Sequence, residues 1–136
     1  VRGTTRRHEG LATIEAAGIE AALADPDRPA TLLELLVDVA VVHWLLGSAR
    51  GEPDAVAAIH GPRLERLLEK LVDTPVRGFV YEGAGTVAAD ELAAGAAAVG
   101  VAADTWRIPA ETVTADPGDV TGWAAAMMAA TLRLTS

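Results

Sequence analysis

Side chains suited to chemistry are few in this chain and widely spaced. Arg6 and Arg7 adjoin in VRGTTRRHEG, and a planar guanidinium can give a phosphate two charge-assisted hydrogen bonds. Beside Glu9, the same pair also reads as a solvated helix start. Tyr81 and Glu82 adjoin in FVYEGAG, a phenol next to a carboxylate, which is one way to assemble an acid/base pair. Alternation along a strand points neighbouring side chains to opposite faces, so they act jointly only where a strand end twists. Glu82 as a polar loop residue is the competing reading. His8, His43 and His60 are isolated, with no His-x-x-x-His or carboxylate spacing, so no metal site is expected. Zero cysteines exclude thiolate ligands, disulfides and a redox switch. His43 and Trp44 fall inside an apolar run and read as packed core, as does the Trp123, Met127, Met128 stripe.

These residues need a scaffold, and the length bounds it. At 136 residues the chain has the size of one domain, spanning 1–136, with enough surface to bury a core of its own. The net charge of −8 repels a phosphate backbone at long range, which argues against nucleic-acid binding. Apolar runs are short and broken by Asp, Arg and Gly, so no membrane span is expected. The absence of cysteine fits a reducing, cytoplasmic setting.

Short β-branched runs alternate with longer Ala/Leu/Glu stretches, the pattern of βαβ units around a mostly parallel sheet. The expected order is a strand ending near Thr5, a helix over Leu11 to Ala17 stopped by Gly18, and a strand over Ile19 to Ala24. Asp25, Pro26 and Asp27 form a turn, and Thr31 caps a short helix. Val39 to Leu46 is apolar throughout, as a strand covered on both faces must be. A helix from Pro53 to about Asp73 should kink at Gly61 and Pro62. Val76 to Tyr81 is the fourth strand; an alanine-rich helix, interrupted and weakened by Gly95 and Gly100, runs to about Trp106; Ile108 to Ala115 is the fifth strand; and Val120 to Leu134 is the closing helix. The fold class is α/β, a Rossmann-like three-layer αβα arrangement with about five strands.

Taken in order, VRGTTRR, IEAALADPD, VAVVHWLLGSA, HGPRLERLLEKL and VRGFVYEGAG resemble landmarks of the atypical and extended short-chain dehydrogenase/reductase families. These include epimerase-like enzymes and NAD(P)-binding sensor-like proteins. The resemblance implies that the landmarks are strands two to five of a Rossmann sheet. It also implies that the first βα unit, with its glycine-rich turn, belongs before VRGTTRR, so that the domain is an N-terminally incomplete fragment. EGAG and GSARG are glycine-bearing, yet neither has the G-x-G-x-x-G spacing that cradles a pyrophosphate. In the order 3-2-1-4-5-6 the first strand is central. Without it two edges stand unpaired in mid-fold, and the chain must re-pair them, form a homodimer or remain marginal.

The resemblance also implies roles for particular residues. Arg6 and Arg7 sit where the family turns out of strand two toward the adenosine ribose; arginine there suits a 2′-phosphate and implies NADP, with NAD the alternative. Asp25 matches the position that faces the adenine amino group, with a turn role as its rival. Leu45, Leu46 and Gly47 would line the cofactor at the end of strand four. The family's Tyr-x-x-x-Lys relay has no counterpart: Tyr81 is the single tyrosine, Lys70 the single lysine, and Ala88 stands where the tyrosine would be. The expected function is therefore nucleotide binding or sensing, with a dinucleotide or small molecule as partner, although the missing glycine-rich turn puts cofactor binding at risk. The alternatives are a non-catalytic α/β interaction module, or an oxidoreductase or epimerase that uses Glu82 or Tyr81.

Overall fold

The computed structural model describes residues 1–136. Strands β1 (Arg2–Thr5) and β2 (Glu20–Leu23) flank helix α1 (Gly10–Ala16), and short helix α2 (Pro29–Leu33) leads to β3 (Val41–Trp44). Helices α3 (Pro53–Ile59) and α4 (Pro62–Lys70) precede β4 (Gly78–Glu82); α5 (Ala89–Trp106), β5 (Ala110–Val113) and α6 (Val120–Thr135) complete the chain. No helix is long and apolar enough to cross a membrane.

All strand pairings are parallel, as βαβ connections require. The strands do not form one sheet, however. β1 pairs only with β2, while β3, β4 and β5 form a second sheet in that order. The break falls between β1 and β3, where the order 3-2-1-4-5-6 places its central strand. Side chains bridge the break instead of backbone: Arg2 donates to the Leu35 carbonyl and, at 3.2 Å, to Asp38, both just ahead of β3.

The core sits on the three-stranded sheet because β4 is buried along its whole length. Phe79 and Tyr81 face one side, packing with Trp44 against Leu64, Leu67 and Leu68 of α4 and Val99 of α5. Val80 faces the other and packs against Met127 and Ala130 of α6, with Trp123 partly buried beside them, whereas Met128, expected in the core, turns to the exposed face of α6. By contrast α1 buries no residue at all.

Several local expectations are corrected. The bend at Gly61 and Pro62 is a full break into α3 and α4, because the proline supplies no amide to continue the ladder. Helix α5 runs unbroken through Gly95 and Gly100. Gly95 is a packing slot, since a Cβ there would lie 2.0 Å from the Tyr81 hydroxyl. Thr31 lies inside α2, and its Oγ1 ties the preceding turn by accepting from Asp25 N at 2.8 Å and donating to the Arg28 carbonyl. β3 is an edge strand with α6 on the face of Val41 and His43, where His43 stays exposed and meets Thr131 Oγ1 at 2.7 Å; on the other face Trp44 is buried and donates to the Ile59 carbonyl.

Candidate functional site

Open parallel sheets bind ligands outside the carboxyl ends of their strands, where helix and loop backbones diverge. At the carboxyl ends of β1, β2 and β3 the chain leaves a cleft of about 330 Å³, at the lower end of the range for small-molecule sites. Arg6 enters it from the end of β1, Asp25 from the end of β2 and Leu46 from the end of β3. Ala55, Val56 and Ile59 of α3 supply an apolar wall, and Arg50 and Glu52 come from the loop between β3 and α3.

Local chemistry fixes each wall. Thr5 Oγ1 both accepts from Arg7 N and donates to the Arg7 carbonyl, at 3.2 Å each, closing the turn that carries Arg6 and Arg7. Glycine is required at position 10, because a Cβ there would lie 2.4 Å from Thr5 Oγ1. Asp25 Oδ1 accepts from Asp27 N at 2.9 Å, so the turn role is real. Asp25 Oδ2 makes no hydrogen bond within the chain, and Asp25 lines the cleft wall. Asp27 is engaged by Arg63 at 2.9 Å.

Leu46 is held from behind. Its carbonyl meets His60 Nε2 at 2.8 Å, and His60 Nδ1 meets the Tyr81 hydroxyl at 2.6 Å. A carbonyl can only accept, so Nε2 carries the hydrogen and Nδ1 accepts from Tyr81. Both His60 and Tyr81 are buried. Burial, reinforced by the nearby Glu82 charge, pushes the Tyr81 phenol up to about 12, which suits a donor and not a proton shuttle.

The ends of β3 and β4 are built differently. Glu82 is buried, with Oε1 accepting from Gly47 N at 2.8 Å and Oε2 from the Trp123 indole at 2.7 Å. The loops GSARG and EGAG touch backbone to backbone. A Cβ on Gly47 would lie 2.0 Å from the Ala84 carbonyl, and one on Gly85, at φ 144°, would lie 2.1 Å from the Gly47 carbonyl. Val87 N donates to that same Gly47 carbonyl at 2.9 Å.

Of the residues singled out in the sequence, the cleft gathers Arg6, Asp25 and Leu46 from three different strands. Arg7 and Leu45 are exposed outside its lining, and Gly47 is buried at the loop contact. Tyr81 and Glu82 point to opposite faces, as alternation requires, and neither lines the cleft. Two residues with a part in this geometry were passed over. Arg50 had a signal, an arginine inside a glycine-bearing loop after a strand. His60 had none, since its partners lie 14 and 21 residues away in sequence.

No family model and no curated protein matches the chain. Solved structures do. The Citrobacter sp. triphenylmethane reductase complexed with NADP(H) superposes with a TM-score of 0.59 at 18% identity, over 82% of this chain and 38% of that one. This is a Rossmann-like α/β fold. A second structure of the same enzyme, described in connection with the bioremediation of triphenylmethane dyes, gives 0.60 at 17% identity over the same shares. The chain thus spans under two-fifths of the length of these neighbours.

Proposed function

We propose that this chain is an NAD(P)-binding, Rossmann-type protein of the short-chain dehydrogenase/epimerase kind, holding the adenosine end of NADP in the cleft between β1, β2 and β3. One observation carries the reading: Arg6, Asp25 and Leu46, drawn from the ends of three strands, converge on a single cleft. In this reading Arg6 grips the ribose 2′-phosphate, the free oxygen of Asp25 accepts from the adenine amino group, and Val56 and Ile59 face the base. The solved neighbour described as complexed with NADP(H) supports the choice of nucleotide. When bound, the nicotinamide would supply hydride transfer. What this chain's own residues do is bind and orient the adenosine end.

Nucleotide binding or sensing fits better than ordinary redox catalysis. The only tyrosine is buried against His60, and both oxygens of Glu82 are engaged within the fold. Titration calorimetry with NADPH and NADH tests the reading. We expect saturable binding with NADPH preferred, and the preference reduced about tenfold by Arg6→Ala, the worth of one charge-assisted contact. Equal affinity for both nucleotides, or none for either, would overturn it. A second reading, a non-catalytic interaction module, is favoured by one feature, the exposed Val120, Met128 and Leu132 along one face of α6.

A further inference from the structure

We infer that a second cavity, at the opposite end of the sheet from the cleft, is a binding site for an apolar α-amino acid. The inference is independent of the nucleotide reading and uses none of its residues. The cavity, of about 270 Å³, opens at the amino ends of β3 and β4, between the segment that follows α2 and the 3₁₀ turn Leu71–Asp73 that follows α4. Leu33, Leu36, Val37 and Pro75 give it an apolar wall. Leu36 belongs to the buried core whereas Val37 is 75% exposed, so the wall runs from the core out to solvent. That wall is anchored. Arg2 donates to the Leu35 carbonyl and pairs with Asp38 at 3.2 Å, on either side of Leu36 and Val37. A wall held before binding loses less freedom when a ligand arrives.

The polar groups choose the ligand. Lys70, the chain's single lysine, and Asp73 both line the cavity, yet neither forms an ion pair with the other or with any other residue. Lys70 is half-buried beside the apolar wall without a counter-ion. Thr74 is already engaged, its Oγ1 donating to the Leu71 carbonyl at 2.7 Å and accepting from Val76 N at 3.3 Å. Pro75 has no N–H to offer. What remains is one cation, one carboxylate and an aliphatic wall. A free α-amino acid with an aliphatic side chain answers all three: its carboxylate meets Lys70, its ammonium meets Asp73, and its side chain lies against Leu36 and Val37. A ligand carrying one charge alone would leave the opposite group unmatched and would face a like charge. The zwitterion is neutral overall, so the net charge of −8 does not oppose its approach. The volume, just below the range of drug-sized pockets, suits so small a ligand.

The test takes the ligand apart. L-Leucine, isocaproate (no ammonium), isoamylamine (no carboxylate) and glycine (no side chain) are titrated into the full chain and followed by amide chemical shifts. We expect saturable shifts with leucine at residues 33–37 and 70–75, and affinity lower by about tenfold for each of the other three, the loss of one charge-assisted contact or of the side chain's burial. Lys70→Gln should weaken leucine about tenfold and bind isoamylamine no more weakly than the wild type, and Asp73→Asn should weaken leucine similarly and bind isocaproate no more weakly. Arg66→Gln, which removes the same charge from the exposed side of α4, should match the wild type. No saturable shift with leucine, or any of the three analogues bound as tightly as leucine, would overturn the assignment, as would Lys70→Gln and Asp73→Asn binding leucine like the wild type. Circular dichroism separates loss of a contact from loss of fold, and the ligand series in the wild type decides the chemical class whatever becomes of a variant.

Discussion

At the ends of β1, β2 and β3 the chain leaves a cleft of about 330 Å³ with arginines on two sides, while at the ends of β3 and β4 the same kind of glycine-bearing loop is packed shut. The difference lies in what each loop meets. GSARG contributes to both regions. Its first glycine is pressed against the Ala84 carbonyl, and its second, Gly51, has open space where a Cβ would be. A glycine after a strand therefore does not by itself mark a ligand. At Gly47 the close backbone approach comes from the protein's own chain, and Glu82 and Trp123 complete the seal. Buried polar groups that are fully hydrogen-bonded specify a unique packing, and the sealed end has this property. At the open end Arg6, Arg50 and one oxygen of Asp25 have no partner within the chain.

The sharpest way to break this contrast is Gly47→Ala. The added methyl would have a carbonyl oxygen 2.0 Å away and the Glu82 carboxylate 2.9 Å away. Neither backbone can yield without parting the loops, so denaturant unfolding should show a loss of about 3 kcal/mol. A loss under about 0.5 kcal/mol would mean that the loops part freely and that this end is as open as the other.

A smaller effect comes from the phenol behind the cleft. Tyr81 is pushed up to about 12 from the usual 10, so its neutral form is favoured by folding. A folded-state pKa above the unfolded one gives stability that is complete below pH 10 and is lost as the pH rises toward 12. Wild type should therefore lose stability across that interval in alkaline denaturation, and Tyr81→Phe should remove that part of the slope. An unchanged slope in Tyr81→Phe would show that the hydroxyl is not held as described.

The smallest expected effect separates the two roles of Asp25. Asn keeps an oxygen for the Asp27 amide, so Asp25→Asn should change stability by less than about 0.5 kcal/mol. If the free oxygen also binds adenine, the variant should weaken nucleotide binding severalfold in the same titrations. A variant altered in stability alone would reduce Asp25 to its turn.

Much of the architecture was legible in the sequence because it is local. Strand and helix alternation, the glycine stop at Gly18 with φ 79°, and the interruption at Gly61 and Pro62 follow from residue types at short range. The exposure of His43 was not legible. An apolar run reads alike whether its strand is central or at an edge, and only the pairing of β3 with β4 alone decides between them. By helix propensity Gly95 is a weakness of α5, yet it is the slot for Tyr81, a contact across the layers that propensity does not encode. Arg6, Asp25 and Leu46 were legible one at a time. Their convergence depends on how two sheets meet, and so does the place of Arg50 among them.

The break between β1 and β3 has a dynamic consequence. The block made of β1, α1 and β2 contributes almost nothing to the core, and it is tied to the remainder chiefly by Arg2, Arg63 and the turn at Asp25. A block so lightly attached can open as a separate cooperative unit while the three-stranded sheet stays closed. A molecule seated in the cleft would touch both units. At a hundredfold excess over its dissociation constant it would add about 2.7 kcal/mol to their association. Occupancy would then be registered as order in the first sixth of the chain, an output that requires no chemical transformation.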